Sequence, residues 1–147
     1  MLVIIYGTGL RNTERIARAI EKAAKEEGIE TVLKNVDDAD TEDIVNADGI
    51  AIGSTNYRDK MIPTVQNFLN KLVDIDLSGK VGLAFGSYGW GMEAIEEIHN
   101  ILASYGVEML QELDVKRVSN DIELEKCRKA GSELACRIKN KKTICVT

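Results

Sequence analysis

Short apolar segments alternate with longer amphipathic segments along this chain, and the alternation constrains the fold more than any other feature of the sequence. Residues 2–6, 49–53 and 81–85 are apolar at consecutive positions, which is typical of strands covered by helices on both faces. Strict alternation of such strands with amphipathic helices predicts βαβ units and a parallel sheet.

Two further segments are only partly apolar and are predicted to be edge strands. Residues 31–36 are mixed, and Leu113 and Val115 alternate with polar neighbours, as in strands with one exposed face. With right-handed crossovers, this pattern leaves the sheet order 2-1-3-4-5. We therefore expect a three-layer α/β sandwich, a five-stranded parallel sheet with helices on both faces, in one domain over residues 1–140 followed by a C-terminal tail, residues 141–147.

The last amphipathic segment places its apolar residues on one side of a helix. Cys127, Gly131, Leu134 and Ile138 share that side, whereas Cys136 lies nine residues from Cys127. Nine residues correspond to a rotation of about 180° at 3.6 residues per turn. A bridge between Cys127 and Cys136 is therefore not expected.

Charge, hydropathy and cysteine content exclude several classes of function. The chain of 147 residues has 19 basic and 24 acidic residues, so it offers no broad electrostatic footprint for nucleic acid. Its longest apolar run, residues 2–6, is far shorter than the roughly 20 residues of a membrane helix. Three cysteines and one histidine lack the close spacings of a zinc site. We expect a cytoplasmic protein with no nucleic-acid partner, no membrane partner and no metal, either a monomer or a weak homodimer.

In a doubly wound sheet of this order, ligands bind where strands one, three and four end. The first of the three loops there, residues 7–13, leads into a helix, whose N-terminus attracts anions. A phosphate site is one interpretation, and the other is that Asn12 or Thr13 only caps the helix. The loop has neither the third glycine of a dinucleotide fingerprint nor the Gly-Lys pair of a P-loop.

The second and third loops, residues 53–63 and 85–92, are unusual in composition. Tyr57, Tyr88 and Trp90 are three of the seven aromatic residues, counting one Trp, four Tyr and two Phe. Aromatic rings stack on a flat ligand, and the glycines of the third loop let the backbone approach it closely. The alternative is that Tyr88 and Trp90 only cover the end of the sheet.

Together these loops resemble those of flavodoxins, above all the flavodoxin domain of flavodiiron (A-type) flavoproteins. The resemblance rests on three segments, Tyr6-Gly7-Thr8 with Asn12-Thr13-Glu14, Gly53-Ser54 with Tyr57 and Asp59, and the run Phe85-Gly86-Ser87-Tyr88-Gly89-Trp90. It covers essentially the whole chain and implies a flavodoxin-like fold, a bound FMN, and a carrier of electrons between a reductase and an acceptor oxidoreductase. The FMN-binding residues that it implies are Thr8, Gly9, Leu10, Arg11, Asn12, Thr13, Ser54, Thr55, Asn56, Tyr57, Arg58, Ser87, Tyr88, Gly89, Trp90 and Gly91.

The resemblance also assigns roles within this set. Thr8, Asn12 and Thr13 match ligands of the FMN phosphate, Tyr57 matches the aromatic that stacks on the ring, and residues 87–91 match backbone at the pyrimidine edge of the flavin. The redox chemistry belongs to FMN, so no catalytic side chain is expected.

Three departures from the flavodoxin pattern are visible. Leu10 and Arg11 stand where flavodoxins usually carry Thr and then Gly, and Arg58 stands where many have Gly or Asn. Arg11 either contacts the phosphate through a charge-assisted bond or points to solvent. A single histidine is too few for the iron ligands of a flavodiiron protein, so we expect a flavodoxin domain standing alone.

Two other functions remain open on the same fold. One is an NAD(P)H-dependent quinone or flavin reductase, although the sequence has no second dinucleotide loop and no insertion near Tyr88. The other is an interaction module with little affinity for a cofactor, favoured if Leu10 and Arg11 have removed the phosphate site.

Overall fold

The computed structural model describes residues 1–7, 11–54, 56–57, 60–61, 63–87, 93–115 and 121–146. The elements in these ranges are β1 (Leu2–Gly7), α1 (Arg11–Glu26), β2 (Thr31–Asn35), α2 (Thr41–Val45), β3 (Gly49–Ser54), β4 (Asn56–Tyr57), β5 (Lys60–Met61), α3 (Pro63–Lys71), β6 (Val81–Ser87), α4 (Glu93–Ser104), β7 (Glu108–Met109), β8 (Leu113–Val115) and α5 (Asp121–Val146). Among these described residues, no helix is both long enough and apolar enough to pass through a bilayer.

The main sheet is parallel and has the order β2-β1-β3-β6, with β7 and β8 both paired to the outer edge of β6. The predicted order 2-1-3-4-5 is confirmed, and so is the placement of the mixed segments at the two edges. The fifth strand differs from the prediction because it is split into two short pieces. Leu110 still donates its amide to the carbonyl of Gly82 at 2.8 Å, so regular pairing stops only after this residue.

Helices cover both faces of the sheet, and an apolar cluster fills each interface. Leu2 and Ile4 of β1 pack with α1 and α5, whereas Val3 and Ile5 pack with α2, α3 and α4. Successive side chains of a strand point to opposite faces. The unbroken apolar sequence of β1 is thus explained by burial on both sides, as the sequence predicts for a central strand.

The contact between α1 and α5 depends on a glycine. A methyl group at Gly131 would lie 2.6 Å from the carbonyl oxygen of Ile20 and 2.9 Å from the Cβ of Ala23. Cys127 is buried on this same face, whereas Cys136 is exposed. The predicted apolar side of the last helix is confirmed, and the two thiols lie on opposite sides of α5.

The backbone of α5 continues to Val146, so the predicted boundary at residue 140 falls inside the helix and residues 141–146 extend it. The sequence has no glycine or proline after Gly131, and these are the residues that most often end a helix.

Asp43 anchors the start of α2. Its carboxylate accepts a hydrogen bond from the Asp40 amide at 2.9 Å and lies 3.0 Å from the Nζ of Lys34. The Asp40 amide first, and Lys34 to a smaller extent, hold the pKa of Asp43 below its usual value. This arrangement is one half of a capping box, since the Asp40 side chain in turn accepts from a backbone amide of α2.

Candidate functional site

The strands that precede the three predicted loops end side by side. Gly7 at the end of β1 is opposite Ser54 at the end of β3, and Gly53 is opposite Phe85 of β6. All three loops therefore start from the edge of the sheet that is formed by the carboxyl ends of the strands, at the point where the strand order reverses. In sheets of this topology, this is the edge where ligands bind.

Thr13, in the first turn of α1, carries the clearest sign of a ligand. The side chain is 0% exposed, and its Oγ1 makes no hydrogen bond to any described residue. A buried hydroxyl without a partner costs about 1 to 3 kcal/mol, so most such groups in folded proteins are satisfied. At a helix N-terminus, where the dipole favours negative charge, an anionic group of a ligand would satisfy it.

Two other buried polar atoms in the described part of the chain also lack a hydrogen bond, but neither belongs to the first turn of a helix. Thr31 begins β2, at the opposite end of the sheet, and its Oγ1 is one of them. The other is Nδ1 of His99 in α4, which lies 3.5 Å from Oε1 of Glu112. Thr13 is thus the one of these three that lies at the N-terminus of a helix following directly on β1.

Glycines bring the ends of β3 and β6 unusually close together. A Cβ at Gly86 would lie 2.5 Å from the carbonyl oxygen of Ser54, and a Cβ at Gly53 would overlap the ring of Phe85. Ser54 itself is 1% exposed. The backbone at the start of the second and third loops is therefore held by direct contact between strands.

Next to Thr13 in the sequence, Glu14 accepts hydrogen bonds from two side chains, one on β1 and one on α1, at a single carboxylate oxygen. Oε1 of Glu14 accepts a hydrogen bond from Nη2 of Arg18 at 2.9 Å and one from the hydroxyl of Tyr6 at 3.3 Å. Burial, and then the charge of Glu14, raise the pKa of Tyr6. The spacing of Glu14 and Arg18 is a sequence signal for their pair, but the sequence analysis did not identify the cluster because Tyr6 joins it from another element.

The structure describes only some of the predicted FMN-binding residues. Thr13 and Ser54 are described with their side chains, and both are buried. The backbones of Arg11 and Asn12 begin α1, that of Ser87 ends β6, and those of Asn56 and Tyr57 form β4, which pairs with β5 in a hairpin where the sequence predicted a loop. Outside the described residues lie Thr8, Gly9, Leu10, Thr55, Arg58, Tyr88, Gly89, Trp90 and Gly91.

Comparison with known proteins identifies the family. The flavodoxin family model matches residues 4–131. The type A flavoprotein fprA of Rhodobacter capsulatus is 33% identical over 140 residues, which are 91% of this chain and 32% of the relative. The chain therefore belongs to the flavodoxin family.

Solved structures agree with this assignment. A flavodoxin from the domain Archaea superposes with a TM-score of 0.85 and 27% identity, covering 95% of this chain and 99% of the other. The rubredoxin oxygen:oxidoreductase of Desulfovibrio gigas gives a TM-score of 0.90 at 25% identity, with 95% of this chain and 36% of the other covered. These findings confirm the flavodoxin-like fold and the resemblance to flavodiiron proteins.

The family also establishes the cofactor class. Flavodoxins bind FMN, so FMN is the cofactor of this fold and flavin-based electron transfer is its role. The buried hydroxyl of Thr13 at the N-terminus of α1, which is unsatisfied within the described part of the chain, fits a phosphate ester such as that of FMN. The chain spans about a third of the length of the first curated relatives that it matches, 36%, 35% and 32%.

Proposed function

We propose that this chain is an FMN-dependent electron carrier that takes electrons from a reductase and delivers them to an acceptor oxidoreductase. The observation that carries the proposal is the fully buried hydroxyl of Thr13 at the N-terminus of α1, which has no hydrogen-bond partner among the described residues. It lies at the edge where the three loops begin, in a chain of the flavodoxin family. The partners are redox proteins, since a carrier needs a donor and an acceptor.

Each part of the site has a separate task in this proposal. The Oγ1 hydroxyl of Thr13 donates a hydrogen bond to a phosphate oxygen, and the first amides of α1 add the positive end of the helix dipole. The second and third loops, with Tyr57, Tyr88 and Trp90, enclose the ring. FMN, when bound, supplies the redox chemistry, while the protein binds and orients it.

The close contact between β3 and β6 supports the placement of the ring. A Cβ at Gly86 would lie 2.5 Å from the carbonyl oxygen of Ser54, so β3 and β6 are packed closely where the second and third loops start. A binding site whose walls are fixed in advance loses less conformational entropy when the ligand binds.

Replacing Thr13 with valine tests the phosphate contact, because valine keeps the shape of the side chain and removes the hydroxyl. One hydrogen bond to a charged group is worth roughly 1.5 to 3 kcal/mol, so we expect FMN to bind about 10- to 150-fold more weakly and riboflavin to bind as before. The FMN-free variant should be more stable than the native protein, since it lacks a buried hydroxyl that has no partner among the described residues.

The matched control is Thr64→Val, which makes the same change at an exposed position in the first turn of α3. Flavin fluorescence titrations give both affinities, and urea denaturation gives the stability. If Thr13→Val weakens FMN and riboflavin equally and lowers the stability, Thr13 only caps the helix and the phosphate assignment is wrong.

A second experiment separates a carrier from an enzyme. The FMN-loaded protein is mixed with NADPH and a quinone, or with NADPH and cytochrome c, with and without an NADPH-dependent flavodoxin reductase. We expect cytochrome c reduction only when the reductase is present. Rapid oxidation of NADPH by the chain and a quinone alone would instead identify a quinone reductase.

A further inference from the structure

Glu14 raises an electrostatic problem at the proposed phosphate site. It follows Thr13 directly and belongs to the first turn of α1, and its side chain is 30% exposed. A carboxylate stabilises a helix N-terminus when no other anion is present. When a phosphate group binds at the same turn, however, two like charges are brought together, and this opposes binding.

The cluster around Glu14 offers a solution to this problem. Arg18, one turn further along α1, donates to Oε1 of Glu14 at 2.9 Å, and the hydroxyl of Tyr6 donates to the same atom at 3.3 Å. Tyr6 is 9% exposed and packs in the core between the sheet and α1. The position of the Tyr6 hydroxyl is therefore set by β1 and the core, and its hydrogen bond holds the Glu14 carboxylate towards β1.

Both donors keep their protons at neutral pH. Hydrogen bonding to Glu14 raises the pKa of Arg18, and burial together with Glu14 raises the pKa of Tyr6. The Glu14 carboxylate thus faces one full positive charge and one neutral donor.

We propose that Arg18 and Tyr6 are positioning residues for FMN: Arg18 neutralises the charge of Glu14, and the Tyr6 hydroxyl holds the carboxylate towards β1, so that α1 accepts the phosphate. Neither side chain touches the cofactor in this proposal, which rests on the proposed phosphate site at Thr13. The expected consequence is a selective effect on ligands that carry a phosphate.

A double-mutant cycle tests the proposal, with Arg18→Met, Glu14→Gln and the double variant, each titrated with FMN and with riboflavin. Charges near a helix N-terminus have modest effects on anions, so we expect Arg18→Met to weaken FMN by about three- to tenfold and to leave riboflavin unchanged. Adding Glu14→Gln should return the FMN affinity to within about twofold of the native value, since the uncompensated charge is removed.

Arg15→Met is the matched control for a general loss of positive charge. Arg15 is exposed on the same helix and forms no ion pair with any residue that the structure describes. We expect it to change FMN affinity by less than about twofold. Tyr6→Phe is the second test, and we expect a smaller, FMN-selective loss that Glu14→Gln also cancels.

Several results would overturn the proposal. Equal losses in Arg18→Met and Arg15→Met would show only a general charge effect, and equal losses of FMN and riboflavin would show a structural role. Failure of Glu14→Gln to restore binding would show that Glu14 is not the group that Arg18 neutralises. If instead the native protein binds riboflavin as tightly as FMN, the phosphate site itself is wrong and both proposals fail.

Discussion

Replacing Gly86 with alanine would place a methyl carbon 2.5 Å from the carbonyl oxygen of Ser54 and 3.0 Å from Cγ1 of Ile95. The carbonyl cannot move freely, because Ser54 is the last residue of β3 and its neighbour on β1 is Gly7. Ile95 of α4 closes the other side. The strain must therefore be relieved by moving β6 and the loop that follows it.

The size of the effect follows from these distances. Reaching an ordinary contact of 3.4 Å requires the methyl carbon and the Ser54 oxygen to separate by about 0.9 Å. Overpacking of this kind costs about 1 to 3 kcal/mol, and the lower backbone entropy of alanine offsets roughly 0.5 to 1 kcal/mol of it. We expect a net loss of roughly 1 kcal/mol in the free energy of unfolding, within a range of about 0 to 2.5 kcal/mol.

FMN binding should suffer as well, because Gly86 lies in the predicted third loop and directly precedes Ser87, the last residue of β6. If the backbone near Ser87 binds the flavin, as the flavodoxin resemblance implies, a shift of this size would weaken that contact, and the loss of one hydrogen bond is worth up to about 1.5 kcal/mol, or roughly tenfold in affinity. Urea denaturation followed by circular dichroism measures the stability, and flavin fluorescence titration measures the affinity.

Gly82→Ala is the control in the same strand. Its new methyl group would lie 2.5 Å from Cγ1 of Val107 and 2.7 Å from the sulfur of Met109; Met109 is flexible, whereas Val107 is buried and stiff at χ1. We expect a loss of stability comparable to that of Gly86→Ala, but unchanged FMN affinity. If Gly86→Ala binds FMN as the native protein does, the contact between β3 and β6 does not set the geometry of the site.

Two further changes test the fold. Gly131→Ala should lower the free energy of unfolding by about 1 kcal/mol, because the clash with the Ile20 carbonyl outweighs a gain in helix propensity of about 1 kcal/mol. The difference in stability between Lys129→Ala and Lys129→Gly, at an exposed site of α5, measures that gain in propensity. If Gly131→Ala stabilises the protein by the same amount, the close packing at Gly131 is refuted. Asp43→Asn should destabilise the protein by about 1 kcal/mol at pH 7. Because hydrogen bonding by the Asp40 amide lowers the folded pKa of Asp43, the difference in stability between the native protein and this variant should shrink as the pH falls below about 4, through the folded pKa. A difference in stability that persists at pH 2 would contradict this.

Much of the fold could be predicted because it depends on local patterns. Consecutive apolar residues such as Leu2 to Ile5 identify a strand that is buried on both faces, and α1 and α5 repeat their apolar residues every three or four positions. The split of the last strand was missed. Leu110 is apolar and buried, so nothing in its type marks the position where regular pairing with β6 ends.

The site was predictable only in part, for a physical reason. Thr13 was recognised because a hydroxyl at a helix start is a local signal. The contact of Gly86 with the Ser54 carbonyl, and the bond from Tyr6 to Glu14, join residues that are distant in sequence. Such contacts depend on strand register and helix placement, which composition and spacing do not specify.

The divided edge of the sheet also bears on how the protein behaves at high concentration. A long, unpaired strand at a sheet edge is a template for aggregation with other chains, and short edge strands are one natural protection against it. The outer side of β6 is covered by β7 with two residues and β8 with three, whereas β2 on the opposite edge runs unbroken for five residues. Intermolecular strand pairing is therefore expected to start at β2, the longer of the two edges.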